Sequence, residues 1–230
     1  MSSRKEQKEK LRAEREKREA EAAAAERRRK LIGYGAAGAL ILAAVVAIVV
    51  VIASSGGKAG SDRAAAPADN AAFVKAAIPP KKATNLEAAA AKAGCSVKQF
   101  PQEGRNHTNG PYKYKTNPPT SGDHYEIPAQ DGAYTQAPNI GQLVHELEHG
   151  RIIIWYRPDV SAKLKGQLKA LFDEDSYHMV LTPNTTHMPY PVAASGWTRS
   201  ITCPKMNDNV FDALRLFRDR YRDQGPEKIA

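Results

Sequence analysis

Ile140-Gly-Gln-Leu-Val-His-Glu-Leu-Glu-His-Gly-Arg-Ile-Ile-Ile-Trp-Tyr156 contains two elements and the stop between them. Asn139 is a helix cap, the helix runs from about Ile140 to His149, and Gly150 ends it. Arg151 to Tyr156 follows at once, and its β-branched, aromatic run is that of a buried strand. Within the helix His145 and His149 are four residues apart, so both imidazoles project from one face about a turn apart. That is the spacing of metal ligands. All six histidines of the chain (His107, His124, His145, His149, His178, His187) fall between positions 107 and 187, which places any histidine chemistry in this middle stretch.

On the N-terminal side the pattern predicts a helix over 84–93, opened by the capping box Thr84-Asn-Leu-Glu87 and stopped by Gly94. Strands are expected near 97–100 and at Tyr112–Lys115, followed by a Pro/Gly-rich loop from 116 to 138. On the C-terminal side come a helix over about 161–172 and strands near 178–182 and 192–202. The last helix places Val210, Phe211, Leu214, Phe217 and Tyr221 on one face. This order predicts an α+β domain over 84–230, with helices packed on a mixed or antiparallel sheet. About 140 residues are ample for one core.

The ends of the chain set the expected location. Leu31 to Ala53 carries no charge over 23 residues, roughly 35 Å of helix against a hydrocarbon core of about 30 Å. We read it as an uncleaved membrane span. A signal peptide cut near Ala53-Ser-Ser-Gly56 is the competing reading, but its apolar core would be shorter and would follow a short basic start. Residues 1–30 hold twelve basic and seven acidic side chains, with Arg27, Arg28, Arg29 and Lys30 abutting the span. The positive-inside rule then predicts a cytoplasmic charged tail and an extracytoplasmic domain. The tail reads as a solvated, partly helical arm, with contact to anionic headgroups as the alternative. Of the net charge of +9 the tail accounts for +5, so the folded part offers no basis for nucleic-acid binding. Gly35, Ala39, Ala43 and Ala47 form a small-residue stripe that would permit a homodimer through the span. Residues 54–83 read as a flexible tether.

Cys95 and Cys203 are the only cysteines. Both are expected outside the cytoplasm, where such a pair is most simply a disulfide. Neither has a partner at C-x-x-C distance, which argues against a thiolate metal site.

Four stretches, Asn117-Pro-Pro-Thr-Ser-Gly-Asp-His-Tyr125, His145-x-Leu-Glu-His-Gly150, Ala193-Ala-Ser-Gly-Trp197 and Arg222-Asp-Gln-Gly-Pro-Glu227, resemble the bacterial domain-of-unknown-function 3105 family. The resemblance covers about residues 84–227 and implies a membrane-anchored, exported domain with no established activity. His107, His124, His145, His149 and Glu148 belong to its pattern. Glu146, His178 and His187 fall outside it.

Three functional readings follow. In the first, His145, His149, His124 and His107 hold a transition metal, Glu148 accepts a hydrogen bond that fixes a ring tautomer, and Met188 is a soft ligand. Met179 beside His178 reads as core and Met188 as the better candidate; thioether donors place copper slightly ahead of zinc. The protein would acquire, buffer or deliver the ion at the outer face. In the second reading the histidines are ordinary core and loop residues and the domain is an envelope protein-interaction module, using Tyr112, Tyr114, Tyr125 and Tyr134 on long loops. In the third, His145-Glu146-x-x-His149 is a zinc hydrolase motif with Glu146 as base and Glu174 as a distant ligand. Against the third, Gly150 stops the helix where a zincin helix would continue.

Overall fold

The computed structural model describes Pro67 and residues 72–228. The charged tail, the proposed span and most of the tether lie outside the described residues. Among the described residues no helix is long and apolar enough to cross a membrane.

The elements run α1 Leu86–Ala93, β1 Ser96–Gln99, β2 Gly132–Ala133, α2 Ile140–Glu148, β3 Ile152–Tyr156, α3 Ala162–Glu174, β4 Met179–Pro183, β5 Val192–Gly196, β6 Arg199–Cys203 and α4 Asn209–Tyr221. The six strands form one mixed sheet in the order β1-β6-β5-β3-β4-β2. β3 and β4 are parallel, with α3 as the crossover, and β2 adds in parallel to β4. β5 and β6 form an antiparallel hairpin whose β5 edge pairs antiparallel with β3. The domain is therefore α+β with helices on a mixed sheet.

Alternation along the central strands divides the core in two. Ile152, Ile154 and Tyr156 point to one face of the sheet and Ile153 and Trp155 to the other, the period-two consequence of the pleat. The first face is covered by Leu86 and Ala90 of α1, Leu168 and Phe172 of α3, and Val210, Leu214 and Phe217 of α4. On the second face Leu143, Val144 and Leu147 of α2 pack with Trp155, Trp197, Tyr134 and Met188. Among the described residues only α2 and long loops cover that side, and His107, His124, His145 and His149 are there.

The structure departs from the sequence expectations at several places. Asn85 rather than Thr84 caps α1, its side chain accepting from the Ala88 amide; Gly94 ends the helix as expected, in the left-handed region at φ 69°. Tyr112–Lys115 is not a strand. Its alternating tyrosines stack on each other, ring centroids 6.2 Å apart, instead of pairing the backbone. The stretch 192–202 folds into two strands, because Trp197 and Thr198 turn the chain and Thr198 takes φ 58°. β2 was not foreseen; two residues give no periodicity to read. The packed chain also begins before Thr84. Phe73 is buried, Arg215 donates to the Pro79 carbonyl, and the Lys82 and Ala83 amides donate to Asp212 of α4.

Cys95 and Cys203 form a disulfide. They are the next pair along the antiparallel register Ser96↔Thr202, with Cα atoms 4.3 Å apart. The bond ties the junction of α1 and β1 to the end of β6.

Candidate metal centre

His124 belongs to the Pro/Gly-rich loop, which is held by its own side chains rather than by regular structure. The Asn106 amide and side chain both donate to Asp123 Oδ1, at 2.9 and 3.0 Å, and the Tyr114 hydroxyl donates to the Asp123 carbonyl. The Ser121 hydroxyl accepts from the Glu103 amide. Gly122 sits at φ 136°, and a Cβ there would lie 2.6 Å from the Tyr114 ring. His107 and His124 are joined by a backbone bridge: the Thr108 amide donates to the His124 carbonyl at 2.7 Å, and the His124 amide to the Asn106 carbonyl at 3.0 Å.

α2 supplies the remaining groups. Asn139 caps it by accepting from the Gly141 amide, and Gly150, at φ 82°, turns the chain out of it toward β3. One helical turn lined with His145, Glu148 and His149 therefore stands beside the loop that carries His124.

Both buried rings are oriented by backbone carbonyls. His124 Nδ1 lies 2.8 Å from the Gly122 carbonyl and His145 Nδ1 lies 2.7 Å from that of Tyr125. A carbonyl oxygen only accepts, so each Nδ1 carries its proton, and in the neutral ring each Nε2 presents a lone pair. The ring centroids of His107, His124 and His145 form a triangle with sides of 5.0, 4.7 and 4.7 Å. One ligand atom from each of these rings and one from Glu148 lie within 4.8 Å of one another. A second group, His145, His149 and Glu227, meets the same condition and shares His145.

The centre is short of donors. Glu148 Oε2 lies 3.0 Å from His124 Nε2 and 3.9 Å from His107 Nε2, and Oε1 lies 2.9 Å from Arg105 Nε. His124, His145 and Glu148 are buried, while the His107 side chain is half exposed. His124 Nε2 and His149 Nε2 are buried and have no hydrogen-bond partner. Buried polar atoms in folded proteins are almost always partnered. Two unpartnered ring nitrogens here are what a bound cation would satisfy. Burial, with the neighbouring rings, also lowers the affinity of His145 for a proton; burial and the charge of His145 push His149 down to about 4. Both rings are thus neutral near pH 7, the form that ligates metals.

The carbonyls of Gly122 and Tyr125 orient the Nδ1 atoms of His124 and His145. Glu148 stands among the ring nitrogens, its Oε2 3.0 Å from His124 Nε2. Its i,i+3 spacing from His145 was the available signal. His149 joins Glu227 rather than His107 and His124, its Nε2 3.5 Å from the Glu227 carboxylate. Glu227 was not among the expected ligands. The C-terminal segment brings it there: the Asp223 amide donates to the Gly150 carbonyl and the Glu227 amide to that of Glu148. Gly225 packs so closely on Glu148 and Gly150 that a Cβ would overlap the Glu148 carbonyl.

Met188 is placed in the core, 1% exposed. Asn184 accepts from the Thr186 and Met188 amides and donates its own amide to the carbonyl of Tyr156, at the far end of β3 from His149. This loop folds the thioether inward against the sheet, which removes the argument that favoured copper. Glu146 points away from the ring cluster, its carboxylate 3.3 Å from Arg151 Nε; burial and nearby Asp131 raise it to about 8. It is therefore not placed as the base of a His145-Glu146-x-x-His149 hydrolase. Glu174 makes two 2.7 Å bonds to Arg215 on the opposite side of the sheet. His178 bonds Asp223 at 2.6 Å and anchors the C-terminal segment, while His187 occupies a left-handed turn.

Neither a curated protein nor a solved structure matches this chain. A family model described as "Protein of unknown function (DUF3105)" matches residues 105–230, a span that holds every member of both His/Glu groups. The chain therefore belongs to the DUF3105 family of proteins of unknown function.

Proposed function

We propose that this protein binds a divalent transition-metal ion through His107, His124, His145 and Glu148, and that it acquires, buffers or delivers that ion outside the cytoplasmic membrane. One observation carries the reading: two buried rings have Nδ1 tied to backbone carbonyls, His124 Nε2 faces the Glu148 carboxylate at 3.0 Å without a hydrogen bond, and ligand atoms of His107 and His145 lie within 4.8 Å of both. Outer groups that fix ligand orientation in this way are characteristic of metal sites. Three imidazoles and one carboxylate make a four-donor set without sulfur, which suits zinc, with divalent copper as the competitor. Half-exposed His107 gives the ion a way in. The extracytoplasmic location rests on the apolar stretch 31–53 and the basic run before it.

Elemental analysis of the full chain, purified in mild detergent without a polyhistidine tag, tests this. One equivalent of zinc or copper is expected in the wild type and little in a His124→Ala/His145→Ala variant that retains its circular dichroism. Equal, sub-stoichiometric metal in both would reject the site. It would favour the interaction-module reading, for which the stacked Tyr112 and Tyr114 beside the loop supply a surface.

A further inference from the structure

The two ligand groups are not independent, because both require His145. Its Nδ1 is committed to the Tyr125 carbonyl, which leaves Nε2 as the sole ligand atom for either group. A single nitrogen lone pair binds one ion at a time. We propose that the centre offers one ion two positions, an inner one on His107, His124, His145 and Glu148 and an outer one on His145, His149 and Glu227, with His145 as the shared ligand.

The geometry supports the outer position by itself. His149 and His145 have ring centroids 4.4 Å apart. The His149 side chain is 7% exposed, and its Nε2 is buried without a hydrogen-bond partner. The Glu227 carboxylate lies 3.5 Å from that nitrogen and is 40% exposed. The outer position is thus an aimed, unpartnered imidazole beside a carboxylate that also touches solvent.

Charge makes the transfer feasible. Each position combines imidazoles with one carboxylate, Glu148 or Glu227, so a divalent ion meets one carboxylate charge in both. In the exchange the bond to His145 Nε2 persists. Bonds to His107, His124 and Glu148 break as those to His149 and Glu227 form, and no proton or electron is required. The inner position holds the ion with the larger donor set, and the outer presents it beside a partly exposed carboxylate, where an acceptor could meet it. This device rests on the metal reading above and refines it from storage to delivery.

Zinc titration of the full chain, read by isothermal calorimetry and by imidazole ¹⁵N shifts, tests the sharing. Wild type is expected to bind one zinc. His107→Ala/His124→Ala should still bind one, at least tenfold more weakly, with the metal-induced shifts on His145 and His149. His149→Ala/Glu227→Gln should bind one with the metal-induced shifts confined to the inner rings, on His124 and His145, and His145→Ala should bind none tightly. Two zinc ions in wild type, or no zinc in a folded His107→Ala/His124→Ala variant, would overturn the shared-ligand proposal while leaving the inner site standing. No zinc in wild type would remove the metal reading itself. Circular dichroism of each variant separates lost ligands from lost fold, and His145→Asn replaces the alanine variant if that one unfolds.

Discussion

Glu148 Oε2 and His124 Nε2 face each other 3.0 Å apart, and the ring nitrogen has no hydrogen-bond partner. Replacing Glu148 by Gln supplies an amide that can donate to His124 Nε2. The ion pair with Arg105 is lost as well, but that guanidinium is half exposed, and such pairs contribute little. Glu148→Gln is therefore expected to leave the melting temperature in chelator unchanged or raised, while zinc affinity falls by at least about tenfold. A melting temperature in chelator that falls as far as that of His124→Ala would instead show that a proton already joins the pair. His124 and His145 were readable as a site from residue type and spacing. The carbonyls that orient them were not, because nothing in the identity of Gly122 or Tyr125 says where a backbone oxygen will point.

α2 and the segment 222–227 form a unit whose pH response follows from His149. Its folded pKa is depressed to about 4 from an ordinary 6.5, so between those values the unfolded chain binds more protons than the folded one. Stability is thus fully present above about 6.5 and is lost as pH falls toward 4. Urea unfolding in chelator at pH 7 and pH 5 should give a lower midpoint at pH 5, and His149→Gln should shrink that difference. A midpoint that does not move, or moves equally in the variant, would refute the assignment. The helix and strand of 140–156 were legible because an amphipathic period, a glycine and a β-branched run follow each other directly. The C-terminal segment was not: Arg222-Asp-Gln-Gly-Pro-Glu227 has no periodicity, and its place on α2 depends on Gly225 lacking a side chain. Met188 misled for a related reason, since the Asn184 side chain that turns it inward acts through hydrogen bonds invisible in composition.

Across the molecule the sheet separates two tasks. The face under α1, α3 and α4 carries the larger apolar cluster and the Arg215 network, and the opposite face carries the ligands. The disulfide belongs to the first face, where Cys203 joins the apolar cluster and closes a sequence separation of 108 residues. Reduction, or Cys95→Ala/Cys203→Ala, is expected to cost about 2 to 4 kcal/mol, a fall in Tm of roughly 5 to 15 °C. Zinc stoichiometry in the folded fraction should be unchanged. Loss of metal at full folding would show that the two faces are coupled.

The backbone bridge between His107 and His124 has a dynamic consequence. Two backbone hydrogen bonds, with the two that Asn106 donates to the Asp123 side chain, lace Asn106–Thr108 to the loop of His124, and neither stretch belongs to the sheet. An ion gripping both rings would act as a rivet through this seam, converting local opening into an event that must first break coordination. Deuterium uptake at the Thr108 and His124 amides should therefore slow by an order of magnitude or more when zinc is added, while the amides of β3 and β5 keep their rates. Equal slowing everywhere would report only global stabilisation by binding; slowing confined to the seam would show that the ion is what holds the loop to the helix.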